Sequence, residues 1–190
     1  RHIYDTFVRL AISNPGIEFR FYNNDELIFD LKPATLQLGI EELFGKEFSD
    51  SLIVIASGNQ LVKLNGFISK PGFTKKAKQD QFFYLNRRFF TNKNLNFAVY
   101  SGYDDLIEKG NYPSFFLFIE IDPRKVDVNV HPSKLEVKFE DEGAMFGFIR
   151  KTVKDALRES RITFDMSCGS GARNDTEILE HTTSGKSTDF

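Results

Sequence analysis

The chain has no tryptophan, one cysteine and two methionines in 190 residues, and its formal net charge is only −2. With Cys168 as the sole thiol no internal disulfide can form, which suits a reducing compartment. Cys168 lies in a Ser/Gly-rich stretch without a His or acid at catalytic spacing, so an incidental free thiol is the plain reading. No apolar run is long enough to span a bilayer and no cleavable signal is recognisable, which points to a soluble, cytoplasmic protein with no membrane partner. The near-neutral total removes any global bias towards nucleic acid, so a polyanion site has to be a local patch. A P-loop, a GxGxxG motif and a Ser-His-Asp set on an elbow are all missing. His2, His131 and His181 are scattered and no Cys/His or acid cluster has ligand spacing, so no metal site is expected. The pairs Glu41-Glu42 and Asp104-Asp105 fall on helical stretches where a solvated face explains them. A complete active site is therefore not expected here.

What the chain does have is phenylalanine, 21 in all, within a hydrophobic content of 41%. Packing so many rings needs a thick interior, which favours a sheet covered by helices over a thin bundle. Ile3, Phe7 and Leu10 recur at helical spacing until Asn14-Pro15-Gly16, and residues 17–31 read as a hairpin around Asn23-Asn24-Asp25. Residues 36–44 form a short helix closed by Gly45. A second hairpin covers residues 52–56 and 61–69. Residues 81–85 are an almost unbroken apolar run, expected to be buried on both faces. Asn92 caps a helix with Leu95, Val99 and Leu106 on one face, and residues 114–121 make another apolar strand. A last helix opens at Glu140-Asp141-Glu142 and buries Met145, Ile149, Val153 and Leu157. Periodicity fails beyond Arg161, and residues 167–190 read as linker. The chain starts at Arg1, without methionine and already in helical pattern, which reads as a piece of a longer polypeptide.

Residues 126–139, VDVNVHPSKLEVKF, are the most informative stretch. Val126, Val128 and Val130 alternate with Asp127 and Asn129, and Leu135, Val137 and Phe139 alternate with Glu136 and Lys138, as in two half-buried strands. The loop His131-Pro132-Ser133-Lys134 resets the register between them. Pro132 stiffens that loop, so Lys134 is aimed in a defined direction and suits an anion. The commoner reading of such a residue, a solvated turn lysine, stands beside this one.

Charge is unevenly spread. Lys63, Lys70, Lys75, Lys76, Lys78, Arg87, Arg88 and Lys93 face only Asp80 in residues 63–93, whereas residues 25–50 are mostly acidic. Such a run is commonly a solubilising surface. If its turns converge on one face, it would track a phosphate backbone without reading bases. The aromatic run Phe82–Tyr84 reads as core rather than as a stacking platform for bases.

Taken together, residues 126–139, QFFYLNRRFF (81–90) and residues 43–75 resemble the MutL family of DNA mismatch-repair proteins. The likeness covers residues 1–161 and falls on the second, transducer half of the family's N-terminal ATPase region. It implies an α+β fold, a mixed sheet flanked by helices as in the second domain of gyrase- and MutL-type ATPases, with a left-handed β-α-β crossover. It also implies residues 1–14 as a helix leading from an ATP-binding domain, 15–161 as the transducer domain and 162–190 as a flexible linker. ATP and Mg²⁺ would be bound mainly by the preceding domain, with hydrolysis coupled to dimer closure, and this chain alone would be inactive. By motif, Lys134 is the catalytic and nucleotide-contacting residue, reaching the γ-phosphate. Asn86 and Arg88 match the family's strand-end motif. Arg87, Arg88, Lys93, Lys75 and Lys76 are the DNA-contacting candidates. Relatives commonly have glycine where Arg87 stands, which leaves the turn there in question. The implied partners are DNA, a second copy of the chain and the mismatch-recognition protein MutS, in a bacterial, nucleoid-associated setting. The competing readings are a non-enzymatic nucleic-acid-binding module, the transducer of a related topoisomerase or chaperone ATPase, and a structural interaction domain.

Overall fold

A computed structural model describes residues 2–78, 80–128 and 135–169, with side chains through Arg161. Helix α1 (His2–Ser13) is stopped at Asn14, whose side-chain amide donates to the Leu10 carbonyl. Strands β1 (Phe19–Asn23) and β2 (Glu26–Leu31) then form a separate two-stranded hairpin. Its connecting residues Asn24 and Asp25 both have positive φ, as a two-residue turn between twisted strands demands. Helix α2 (Leu36–Phe44) is capped by the Thr35 hydroxyl and closed at Gly45, and the short α3 (Lys46–Asp50) follows at once.

The main sheet has five strands in the order β3-β4-β7-β5-β6. They are β3 (Leu52–Gly58), β4 (Val62–Ser69), β5 (Gln81–Leu85), β6 (Arg88–Phe90) and β7 (Phe115–Ile121). All neighbours are antiparallel except β5 and β7, which pair in parallel, and the chain passes between them through β6 and helix α4 (Lys93–Gly102). This is the expected α+β architecture with a mixed sheet.

Alternation along the strands divides the apolar residues between two cores. Phe83, Leu85, Leu117 and Ile119 face helices α4 and α5 (Glu142–Gly169), packing with Leu95, Val99, Ile149 and Val153. Tyr84, Phe116 and Phe67 face the other way, against α1 and α2 through Phe7, Val8, Ile12 and Ile40. Strand β5 is thus covered on both faces, and Phe82–Tyr84 belong to the interior as expected. Helix α1 packs into the same body through Phe7, Val8, Ala11 and Ile12.

Three elements differ from the sequence reading. Leu106 does not continue α4 but lies in a separate 3₁₀ turn, Asp104–Leu106. Helix α5 runs to Gly169, past Arg161, and among the side chains described its last buried core residue is Leu157. The strands of residues 126–139 are short: β8 (Val126–Asp127) and β9 (Lys138–Phe139) pair in antiparallel register, Val126 opposite Phe139. Upstream of β9, Glu136 instead forms a parallel bridge with Thr91.

Candidate functional site

Strand β5 ends in a hairpin with only two connecting residues, Asn86 and Arg87, between Leu85 and its partner Arg88. Both connecting residues have positive φ, 46° and 70°, the conformation of a type I′ turn. Asparagine tolerates that region, and arginine does so at a steric cost. The turn therefore forms even though Arg87 stands where a glycine would relax it.

Asn86 also fixes the turn to the sheet. Its backbone N–H donates to the Ile119 carbonyl (2.8 Å), its side-chain amide donates to the Ile121 carbonyl (3.0 Å), and its side-chain oxygen accepts from the Ile121 N–H (3.2 Å). One residue thus carries the β5–β7 ladder past the last strand position. Next on β7's path comes Asp122, which accepts from the Arg124 backbone N–H and guanidinium, in a closed side-chain pair with Nη2 at 2.6 Å. Those bonds from Arg124 hold the Asp122 carboxyl down at about 2. The following strand β8 is therefore launched from a stiff corner.

On the return side, the stem that ends in β9 is fastened to the start of α4. The Thr91 N–H donates to the Leu135 carbonyl (2.7 Å) and the Asn92 side-chain amide donates to the Val137 carbonyl (3.2 Å). Val137 and Phe139 are buried in the core under α4 and α5, while Asp127, Glu136 and Lys138 face solvent, as the alternation predicts. Val128 opens to solvent instead and lines an apolar cleft of about 220 Å³ with Leu85, Phe90 and Val137. Residues 129–134, including His131, Pro132 and Lys134, lie outside the described residues.

The basic candidates do not gather in one place. Arg87, Arg88 and Lys63 sit at the end of the sheet that carries the Asn86–Arg87 turn, where Arg87 lines two open clefts of about 420 and 460 Å³. Lys93 opens α4, the helix that follows β6. Lys70, Lys75, Lys76 and Lys78 belong to the opposite end, which strand β5 sets roughly 13 Å away at its usual rise per residue. There Lys75 is already engaged, paired with Asp80 and lying 4.8 Å from the Phe48 ring centroid, and Lys78 lies 4.9 Å from that of Tyr112. The charge run in sequence is therefore two patches in space. Among the described residues no group of three or more His, Cys, Asp or Glu could hold a metal ion.

Sequence reasoning identified Asn92 as a helix cap and Asn86 as part of a motif, but not their bonds to Val137 and Ile121. Those partners are 45 and 35 residues away, and only the sheet order brings them together.

Residues 40–158 match the family model described as DNA mismatch repair protein, C-terminal domain. The DNA mismatch repair protein MutL of Christiangramia forsetii is 35% identical over 162 residues, covering 85% of this chain and 26% of that protein. That of Chlorobium limicola is 41% identical over 158 residues, covering 83% and 25%. The chain spans about a quarter of the length of these relatives. Among solved structures, the N-terminal domain of a DNA repair protein superposes with a TM-score of 0.71 at 22% identity, covering 86% of this chain and 54% of that one. A variant of the Aquifex aeolicus MutL ATPase domain gives 0.55 at 15% identity, covering 80% and 50%. These two likenesses concern the fold. No helix among the described residues is long and apolar enough to cross a membrane.

Proposed function

The chain belongs to the MutL family of DNA mismatch-repair proteins, and from that premise we propose that it is the transducer part of a MutL-type ATPase. In this role it couples ATP binding and hydrolysis, carried mainly by other parts of the longer protein, to dimer closure and to DNA binding. The observation that carries the reading is the anchoring of the 126–139 stems, one by the Asp122 corner and the other by Thr91 and Asn92 at the head of α4. Anchored stems suit a sensor, since their own order need not be gained when a lysine between them meets an anion. Lys134 is the residue proposed for that contact. Bound ATP with Mg²⁺ would supply a transferring phosphoryl group, on which a fixed ammonium neutralises charge.

For DNA, the reading favours Arg87, Arg88 and Lys93. Arg87 and Lys93 are exposed, Lys93 on the helix to which the 135–139 stem is tied and Arg87 in the turn that Asn86 fastens to the end of β7. Lys75 is a weaker candidate because its ammonium is already paired, whereas Lys76 is exposed at the far end and would serve a longer DNA track. The whole protein would act as a homodimer with the mismatch-recognition protein MutS, in a cytoplasmic, nucleoid-associated setting.

The test joins this chain to the family's nucleotide-binding region and follows its mass by sedimentation. Dimerisation on adding a non-hydrolysable ATP analogue is expected. A mass indifferent to nucleotide, with DNA binding retained, would replace this reading by that of a plain nucleic-acid-binding module.

A further inference from the structure

We propose that Asn92 is the residue that couples the 135–139 stem to helix α4, and through Lys93 to bound DNA. It is a positioning residue, contacting neither nucleotide nor DNA, and the inference rests on the reading just given.

The Asn92 carboxamide makes two bonds at once. Its oxygen accepts from the Leu95 N–H (3.0 Å), capping α4, and its nitrogen donates to the Val137 carbonyl (3.2 Å) in the stem. The orientation of the amide is fixed by its partners, because a backbone N–H can only donate and a carbonyl can only accept. A planar amide holds oxygen and nitrogen at a set separation, so it acts as a strut between helix and stem. Thr91 reinforces the tie through its N–H bond to Leu135 and its parallel bridge to Glu136. The next residue in the chain, Lys93, is the first of α4.

The far end of α4 is held differently. A Cβ on Gly102 would come within 2.7 Å of Val153, so the helix there lies directly against α5. The Tyr103 hydroxyl, fully buried, donates to the Ser69 carbonyl on β4 at 2.6 Å. Helix α4 is therefore pinned at its C-terminal end by packing and tied at its N-terminal end to the stem. A stem displacement beyond hydrogen-bond tolerance leaves three outcomes: the first turn of α4 follows, carrying Lys93, the helix loses its cap, or the Asn92–Val137 bond breaks, and the reinforcing Thr91 bond to Leu135 favours the first. The cap biases the helix to follow, which gives two alternative arrangements that nucleotide and DNA both weigh.

The test uses variants that separate the two bonds. Asn92→Ser keeps a neutral capping oxygen but lacks the carboxamide donor, and Asn92→Asp keeps the cap and sets a carboxylate against the Val137 carbonyl. DNA affinity is measured at one salt concentration, with and without a non-hydrolysable ATP analogue, in a polypeptide carrying this chain and the family's nucleotide-binding region. The wild type should show a nucleotide-dependent change on the order of 5- to 150-fold, the usual span of allosteric coupling. Both variants should shrink that ratio several-fold, the Thr91 tie to Leu135 being left in place, with nucleotide-free DNA affinity and thermal midpoint retained. A full response in Asn92→Ser would overturn the coupling role while leaving the function standing, provided Lys134→Ala abolishes it. Loss of nucleotide-free affinity alongside the response would mark Asn92 as an ordinary cap and also overturn the inference. A wild type that ignores the analogue would overturn both the inference and the reading beneath it.

Discussion

Arg87 meets two opposed demands. Its backbone occupies the left-handed region at φ 70°, where a side chain costs about 1–2 kcal/mol, while its guanidinium supplies charge at the end of the sheet. Arg87→Gly should therefore raise stability by about 0.5–1 kcal/mol, the steric relief being partly offset by the greater freedom of an unfolded glycine. The same change should weaken DNA binding and reduce the slope of log affinity against log salt by about one. Urea midpoints and a salt titration check the two halves separately, and an unchanged slope would remove Arg87 from the DNA contacts. Asp122 shows the opposite balance, a side chain whose charge serves the backbone. Its carboxyl is depressed to about 2 by Arg124, so the stability it adds is present above the ordinary carboxylate range and is lost as pH falls from about 4 towards 2. Asp122→Asn should flatten that acid limb in thermal melts, and an unaltered limb would argue against the corner.

At the scale of elements, two glycines decide how closely neighbouring elements approach. Gly66 lies in β4 at φ +138°, and a Cβ there would fall 1.9 Å from the Phe116 carbonyl oxygen on β7. Backbone cannot yield as a flexible side chain can, so Gly66→Ala should cost about 3 kcal/mol or more, read from denaturant unfolding. A Cβ at Gly102 would meet the Val153 side chain and the Arg150 carbonyl across the helix pair, and for Gly102→Ala a cost of about 1–3 kcal/mol is expected. Much of this layer was legible in the sequence, since caps, breakers and alternation are local. Asn92 and Gly45 fall at the helix ends where the pattern put them. Less legible were β6, three residues with an arginine at its head, and the brevity of β8 and β9. The first depends on a tight turn between Leu85 and Arg88 that arginine does not advertise, the second on long-range pairing, with Thr91 meeting Glu136 across 45 residues. The sorting of the lysines into two patches was hidden for the same reason, because a linear charge run does not say which end of a strand each residue reaches.

For the molecule as a whole, the two-sided sheet is what makes a relay feasible. Helices α4 and α5 bury one face and α1 and α2 the other, so β5 and β7 are stiff, and movement is confined to what hangs on their ends. Tyr84 and Tyr103 lie within these cores, and burial raises both hydroxyl pKa values, opposed in Tyr84 by the Arg9 charge and in Tyr103 by its bond to Ser69. Raised values mean stability that is fully present below the unfolded value of 10.0 and lost as pH climbs above it. Alkaline unfolding beginning at about pH 10 is expected, and it should be delayed in a Tyr84→Phe, Tyr103→Phe double variant. The family match over residues 40–158 separates the chain from the related topoisomerase and chaperone ATPases, which composition and fold class alone could not do. The measurement that bears most directly on the central claim is steady-state ATP hydrolysis by Lys134→Ala, in a polypeptide carrying this chain and the family's nucleotide-binding region. Loss of one electrostatic donor at the phosphoryl group should lower kcat by about 10²- to 10³-fold with the fold intact, whereas wild-type turnover would contradict the role given to this lysine and to the stems that hold it.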